Sequence, residues 1–465
     1  MKVIAIIVAG IAAFLITSLT VGISAWGIVI LGLTIIYLLQ GVITVVAMLN
    51  SWVEPKRMYG VRPPKDPRAG KRATFSLIIP CRHEEKVIGD TLAAMTRIDY
   101  PKNQYEVIVS VREDDRETID AAQSAVNKLL LESVLRKERP MRVRIVVFSD
   151  GPERKARHLN EALESAQYGY IGVFDAEDEP HPAILRKVEA VILRKGVDAV
   201  QGGVQLINVS SRWFTILNCL EYYFWFKSVL PFLARLGATP VGGNTIFVRA
   251  QILRRLGGWD EDALTEDADL GIRLSAEGYK IAMIYDEALS TLEEAPVTVG
   301  GFLRQRSRWD QGYLQVLAKR DWERLPHAKQ QILTFYLLIQ PFFQFINAIG
   351  SLMLPVFTIA IQVEISIAVF SVAPLYFLLL QLGIFTIGLG MLKSQYQLKF
   401  SKWTYAKLWL AYFPYQLLLG VATVRAIRKY FAGSLVWDKT SHINVHREAL
   451  GVLPKAAVET NVIGG

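Results

Sequence analysis

Hydrophobic positions in this chain follow two different rhythms. Residues 3–53 include no charged side chain, and a bilayer crossing takes only about 20 apolar residues. The run therefore predicts two passes, turning near Thr20 to Ser24. It is too long for the apolar core of a cleaved signal peptide, so residues 1–53 read as an N-terminal transmembrane hairpin. From residue 73 the rhythm shortens. "FSLIIP", "EVIVSV", "RVRIVVF" and "YIGVF" are brief β-rich runs, separated by helix-length stretches such as residues 88–97 and 118–136. Alternation of this kind predicts an α/β domain on a mostly parallel, Rossmann-like sheet, with ligands at the carboxyl ends of its strands. The long rhythm returns after residue 331. Between Ile332 and Leu392 the one charge is Glu364, expected at an outer turn between two spans. Residues 408–424 are near the lower limit for a crossing and contain Pro414. Arg425, Arg428 and Lys429 follow, so this last segment either crosses against the charge rule or is re-entrant or interfacial.

The apolar fraction of 52% fits a chain partly in membrane, and the net charge of +9 is concentrated rather than spread. Lys56, Arg57, Arg62, Lys65, Arg68, Lys71 and Arg72 form a proline-broken basic linker, residues 54–72. Basic residues beside a span favour the cytoplasmic side and anionic lipid, which places the following domain in the cytosol and argues against nucleic acid as the partner. Cys81 and Cys219 are the only cysteines, expected as free thiols with no disulfide framework or zinc site. Two stretches mix aromatic and basic residues in the manner of helices at a membrane surface, residues 211–236 and 302–331. The organisation expected is a catalytic domain over 73–310 with interfacial helices near 211–236, an amphipathic segment over 311–331, a transmembrane region over 332–430 and a tail over 431–465.

Acidic residues gather where chemistry is expected. Asp175, Glu177 and Asp178 follow the apolar run "YIGVF" and should emerge at a strand's carboxyl end, where hard oxygen ligands suit Mg²⁺ or Mn²⁺ shared with a diphosphate. Glu84 and Glu85, then Glu113, Asp114 and Asp115, follow two other strands. Together these could line a nucleotide cleft, with Lys155 as a point charge for phosphate. "GGWDEDALTEDADLGIRL" crowds Asp260, Glu261, Asp262, Glu266, Asp267 and Asp269 together. Thr265 is expected to cap a helix, leaving Glu266 and Asp267 in its first turn. A desolvated carboxylate there can take a proton from a hydroxyl.

The order of these motifs resembles the membrane-embedded family 2 glycosyltransferases, the group of cellulose, chitin and hyaluronan synthases, from about Ser76 to Trp309. "PCRHEE" is similar to the family's Pro-x-x-Asn-Glu start, with His83 in the Asn position. "EDD" resembles the acidic pair that reads the nucleotide, and Lys155 with Asn160 a donor-side Lys-x-x-x-Leu-Asn element. "DAEDEP" is similar to the Asp-x-Asp metal motif, with Glu177 in the second position. "TED" resembles the motif whose Asp is the general base, and "QRSRW" the acceptor-side Gln-x-x-Arg-Trp. "VWDKTSH" resembles a Trp-x-Lys-Thr-x-His element of bacterial members.

The resemblance implies a GT-A-type domain inserted between transmembrane helices. It implies a multi-pass cell-membrane enzyme that transfers a hexosyl or N-acetylhexosaminyl group, with inversion and a divalent metal, from a UDP-linked sugar. Asp267 would be catalytic; Glu84, Asp114, Asp115, Lys155 and Asp175 would hold the donor. Asp175 and Glu177 would hold Mg²⁺ or Mn²⁺, and Glu266, Gln305, Arg308 and Trp309 would face the acceptor. The acceptor would be a growing polysaccharide, processively extended and secreted, or alternatively a membrane lipid receiving one sugar. A transporter or scaffold is disfavoured because the spans hold almost no ionisable residues.

Overall fold

The computed structural model of the protein describes residues 24–53 and 72–433. The first pass of the expected hairpin, nearly all of the basic linker and the "VWDKTSH" element lie outside the described residues.

One long apolar helix, α1 (Ala25–Val53), precedes the α/β domain. The expected alternation then follows: β1 (Phe75–Cys81), α2 (Ile88–Thr96), β2 (Tyr105–Arg112), α3 (Arg116–Leu135), β3 (Arg142–Phe148), α4 (Lys155–Ser165) and β4 (Tyr170–Val173). The second half is less regular. It contains α5 (Ile184–Lys195), β5 (Ala199–Gln201), β6 (Val204–Leu206), α6 (Thr215–Phe224), a π turn (Trp225–Val229) and α7 (Leu230–Leu236). After these come β7 (Ile246–Arg249), α8 (Ala250–Arg255), α9 (Glu266–Ala276), β8 (Ile281–Met283) and β9 (Thr291–Glu293). One continuous helix, α10 (Val299–Lys319), leads through a 3-10 turn (Asp321–Arg324) to α11 (Ala328–Ala360), α12 (Ile365–Phe370), α13 (Ala373–Gln395) and α14 (Trp403–Phe431).

Seven strands form one sheet in the order β3-β2-β1-β4-β7-β5-β8, in which β7 alone runs antiparallel to its neighbours. Phe75, Leu77, Ile78 and Ile79 of β1 are fully buried, as a strand covered by helices on both faces requires. From β1 the chain winds outward to β2 and β3, then returns to β4 on the other side of β1. Such a reversal opens a crevice at the carboxyl ends of the two flanking strands. Arg82 follows β1 there, and Asp175 follows β4. Beside it β6 and β9 form a two-stranded ribbon that carries Glu293.

Among the described residues four helices are long and apolar enough to cross a membrane: Ala25–Trp52, Ala328–Ala360, Ile365–Gln395 and Trp403–Phe431. Glu364, in the turn between α11 and α12, accepts hydrogen bonds from Ser24 N at 2.9 Å and Ser24 Oγ at 3.2 Å. The start of α1 and that turn therefore share one end of the bundle, and the α/β domain joins the opposite end. Between domain and bundle lies an aromatic layer. Tyr223 and Phe224 of α6 and Phe226 of the π turn are buried with Leu378 and Phe385 of α13 and Tyr412 of α14 in one cluster. The stretch 211–236 thus lies between the sheet and the spans. α14 packs along α10: Tyr415, Ala422 and Thr423 bond to Arg306, Ser307 and Asp310.

Helix α9 sits unusually close to the segment before β7. A Cβ at Gly271 would lie 2.6 Å from Val241 N and 2.9 Å from Pro240 Cα, so backbone rather than a movable side chain fills that space. Alanine favours a helix over glycine by about 1 kcal/mol, yet here overlap outweighs propensity. Gly271→Ala is expected to lower the melting temperature of the detergent-solubilised protein and its turnover together. An unchanged melting temperature would show that α9 can retreat without cost.

Candidate active site

The crevice opens into a cavity of about 420 Å³ whose lining includes Arg82, Glu84, Lys155, Asp175, Glu177, Glu266, Asp267, Glu293, Gln305, Arg308 and Trp309. Most of the site residues expected from the sequence therefore converge, although they come from five separate stretches of chain.

At the end of β4, Asp175 accepts a hydrogen bond from Lys155 Nζ, which also donates to Gly243 O at 2.9 Å. The turn after Asp175 is closed from below: Asp178 is buried, and its Oδ2 accepts from Asp175 N at 2.7 Å. Asn244 donates to Asp178 and to Glu293. Burial, followed by the charges of Asp175 and Glu177, pushes Glu293 up to about 8. Burial, then Glu293, Asp175 and Glu177, raises Asp178 well above the usual carboxylate range. Buried carboxylates raised further by the charge of neighbouring carboxylates are the electrostatic condition that a bound cation relieves. Among the described residues no group of three or more His, Cys, Asp or Glu converges as a complete metal cage. The donor set at Asp175 and Glu177 accordingly fits a hard cation that takes its remaining ligands from elsewhere.

The acidic stretch 260–269 divides cleanly. Asp260 pairs with Lys319 at 2.5 Å, Glu261 with Arg157 at 3.4 Å, Asp262 with Arg154 at 2.7 Å and Asp269 with Arg273 at 2.7 Å. Among the described residues Glu266 and Asp267 have no ion pair of this kind, and both line the cavity. Thr265 stands at the helix N-cap position, but its side chain makes no capping bond and its Oγ1 is buried without a partner. The expectation of a threonine cap is thus corrected. Thr265 instead presses against Gly312 of α10, where an added Cβ would collide with it. Arg308 donates to Leu264 O at 3.3 Å, and Gln315 to Asp262 O at 3.1 Å. The turn is held by α10, not by its own cap.

Burial raises Asp267 above the ordinary aspartate range. Burial and then Asp267 push Glu266 up to about 7, against the pull of Lys155 and Arg308. A Cβ at Gly243 would lie 3.1 Å from Asp267 Oδ2 and 3.5 Å from Lys155 Nζ. The absent side chain leaves a gap between carboxylate and ammonium.

Other expected donor residues are placed differently. Asp114 is gripped by Arg82 through bonds of 2.7 and 3.1 Å, and Arg82 also meets Glu153 at 2.8 Å. Asp115 is buried, caps α3 through Thr118 N at 3.3 Å and accepts from His83 N at 2.6 Å, which supports the left-handed turn at His83 (φ 54°). Neither aspartate lines the cavity, whereas Arg82 and Glu84 do. Asn160 spends its amide on Trp259 and Glu261, holding the acidic loop.

On the opposite wall, Trp309 lies 4.9 Å beneath the Arg306 guanidinium and 6.0 Å from the Tyr222 ring. Arg306 is bonded to Glu221, Asn218 and Tyr415. Glu221, Asn244 and Glu293 were not singled out by the sequence, and Arg306 was read as one of the basic residues of the stretch 302–331. "GGNT" before β7 carried a signal for a close backbone approach; Glu221 and Glu293 carried none.

Comparison with known proteins agrees with this geometry. The family described as "Glycosyltransferase like family 2" matches residues 72–312. The chain is 25% identical to the "Probable glycosyltransferase YdaM" of Bacillus subtilis over 80% of this chain and 87% of that protein. It is 29% identical to the "Beta-monoglucosyldiacylglycerol synthase" of Nostoc over 53% of this chain and 50% of that one. It is 25% identical to the "Poly-beta-1,6-N-acetyl-D-glucosamine synthase" of Staphylococcus epidermidis over 57% and 60%. The solved mannosyltransferase PcManGT of Pyrobaculum calidifontis, in complex with GDP-Man and Mn²⁺, superposes with a TM-score of 0.50 at 20% identity, over 86% of this chain and 99% of that one. A parallel sheet with its crevice between β1 and β4, and a family match over more than half of the chain, lead to one assignment: this chain belongs to glycosyltransferase family 2, with a GT-A-like domain.

Proposed function

We propose that the protein transfers a sugar from a nucleoside-diphosphate sugar to an acceptor hydroxyl at a membrane, with inversion, and that Asp267 is the general base. The observation that carries this reading is the division of the acidic stretch: four carboxylates are neutralised by partners, and Asp267 faces the cavity beside Lys155 with its pKa raised. The acceptor oxygen bonds to the anomeric carbon as the bond from that carbon to the diphosphate breaks, and its proton passes to Asp267. A single base acting opposite the leaving group inverts the anomeric centre, which gives a β-linkage from an α-linked donor. Lys155 holds Asp175 in place and adds positive charge near the departing phosphate. Arg82 and Glu84 stand where the nucleotide end of the donor would lie. Gln305, Arg308 and Trp309 face the acceptor, with the indole available to stack on a sugar ring.

Asp175 and Glu177 would hold Mg²⁺ or Mn²⁺, and the donor complex of PcManGT with Mn²⁺ supports that choice. Such an ion neutralises charge on a leaving diphosphate. A UDP-linked hexose or N-acetylhexosamine and a multi-pass placement in the cell membrane with the domain in the cytosol complete the reading. The basic linker beside α1 supports that orientation. For the acceptor, both a growing glycan and a membrane lipid are consistent with the relatives' names.

Three outcomes are expected. Asp267→Asn should keep the KM for donor and lower kcat by roughly 10²–10⁴-fold; full turnover would remove Asp267 from its role. A base acts only when deprotonated, so activity falls as pH drops through its pKa. With Asp267 raised and Glu266 near 7 as an interacting pair, the acid limb of kcat/KM should stand above the value of about 4 of an exposed aspartate. A chelator should abolish transfer and added Mg²⁺ or Mn²⁺ should restore it; transfer indifferent to chelation would defeat the metal assignment.

A further inference from the structure

Gly242, Gly243 and Asn244 line the cavity between Asp267 and the Lys155–Asp175 pair. This segment is held on every side. Gly242 N donates to Oε1 of the fully buried Gln201 at 2.8 Å, and Gln201 Nε2 donates to Asn244 O at 2.9 Å. Thr245, which follows, is β-branched yet stands at φ 50°, in the left-handed region that such residues rarely adopt. Its N donates to Val173 O at 2.7 Å, its O accepts from Gly202 N at 2.8 Å, and its Oγ1 meets Thr291 Oγ1 at 2.6 Å. A residue in that conformation persists only where its surroundings fix it. Here they also fix its neighbour, Asn244.

The Asn244 amide donates to Glu293 and lies 3.4 Å from the Asp178 carboxylate. Glu293 comes to it from a different element, β9, where it pairs with Leu206 of β6, and it lines the same cavity. Among the described residues it does not complete a metal cage with Asp175 and Glu177. A carboxyl offers about four acceptor positions on two oxygens, and the Asn244 amide takes one. In the transfer reading the sugar ring must bridge the interval from the diphosphate at Asp175 to the hydroxyl at Asp267. Gly243 gives that ring a floor without a side chain. A ring lying there brings its hydroxyl edge to the next polar side chains along the floor, those of Asn244 and Glu293.

We infer that Glu293, aimed by Asn244, accepts a hydrogen bond from a hydroxyl of the transferred sugar and so sets which sugar the protein takes from its donor. This inference rests on the transfer reading above and adds a specificity-determining residue to it. Protonated or ionised, a carboxyl retains an oxygen that accepts from a hydroxyl. A site built to meet a substrate hydroxyl rejects an analogue that lacks it, because the buried acceptor is then left unpaired.

The test uses the full chain in vesicles of phosphatidylcholine and diacylglycerol with short β-gluco-oligosaccharides added, so that lipid and glycan acceptors are both supplied. Release of nucleoside diphosphate is followed with Mn²⁺ from UDP-glucose, UDP-galactose, UDP-N-acetylglucosamine and GDP-mannose, and the donor used fastest is compared with its monodeoxy analogues. Wild type should lose about tenfold to a hundredfold in kcat/KM with one or two of those analogues. Glu293→Ala should lose as much with the parent donor and show no further loss with the same analogues. Its inhibition constant for the free nucleoside diphosphate and its half-saturating Mn²⁺ should stay within about twofold of wild type, which a disturbed cation site or a misfolded chain would not allow. Glu293→Gln, which keeps the shape of the side chain, should show the same pattern in smaller measure. Monodeoxy donors all used as well as the parent, or a loss in the Glu293 variants that is equal for every analogue, overturn the reading of Glu293 and leave the transfer reading standing. A raised Mn²⁺ requirement does the same, since it would make Glu293 a partner of the cation rather than of the sugar. No nucleoside diphosphate released from any donor overturns both.

Discussion

Close approach of three backbones makes this site possible, and glycine permits each approach. Gly271 lets α9 lie against Val241 and Pro240, Gly312 lets α10 press on Thr265, and Gly243 leaves open the space between Asp267 and Lys155. Packed interiors do not absorb an extra methyl group without displacement. The carboxylate of Asp267 therefore owes its position to contacts made by residues with no chemistry of their own. The same logic accounts for Thr265. A side-chain cap would fix only the first turn of α9, whereas pressure from α10 fixes that turn relative to one wall of the cavity, because α10 also carries Gln305, Arg308 and Trp309.

What the amino-acid pattern reveals depends on how local the cause is. β1, β2 and β4 were legible because a doubly covered strand needs an unbroken apolar run, and the polar residue that ends the run falls at the sheet's edge by construction. The place of Asp175 at a strand's end was legible for the same reason, and that of Asp267 from the start of a helix, although the threonine cap expected there does not form. Asp115 and Asn160 show the converse. A carboxylate that caps a helix and one that meets a ligand have the same local sequence, and only the folded chain shows both oxygens of Asp115 engaged by His83 N and Thr118 N. Glu293 could not be found from its surroundings, since its importance comes from lying opposite Asp175 and Glu177 across a ribbon that no periodicity predicts.

The α/β domain is not merely tethered to its helices. Asn50 donates to Ser228 O at 3.2 Å and Ser228 to Ser51 Oγ at 2.8 Å, pinning α1 to the π turn. Lys227 in that turn bonds Tyr223 at 2.7 Å and Glu287 at 2.8 Å, and Tyr285 meets Tyr396 beyond α13 at 2.9 Å. Insertions into the regular helical ladder such as this π turn recur at functional sites. Here the turn presents Trp225 and Phe226 to the cavity while Lys227 anchors the opposite face. Movement of α1 or α13 would therefore be felt at the wall of the site.

Charge separates the two ends of the cavity. Toward the sheet, Asp175, Glu177, Glu266, Asp267 and Glu293 face Lys155 and Arg308; burial raises Asp267, and burial with neighbouring carboxylates raises Glu266 and Glu293. A floor of this kind repels an anion that enters it without a cation. Toward the apolar helices the balance changes: Glu221 and Arg306 satisfy one another, and the amides of Gln340, Gln344 and Gln381 line the cavity. Charged groups thus crowd the end of the cavity at the sheet, and neutral hydrogen-bonding groups line the end among the apolar helices.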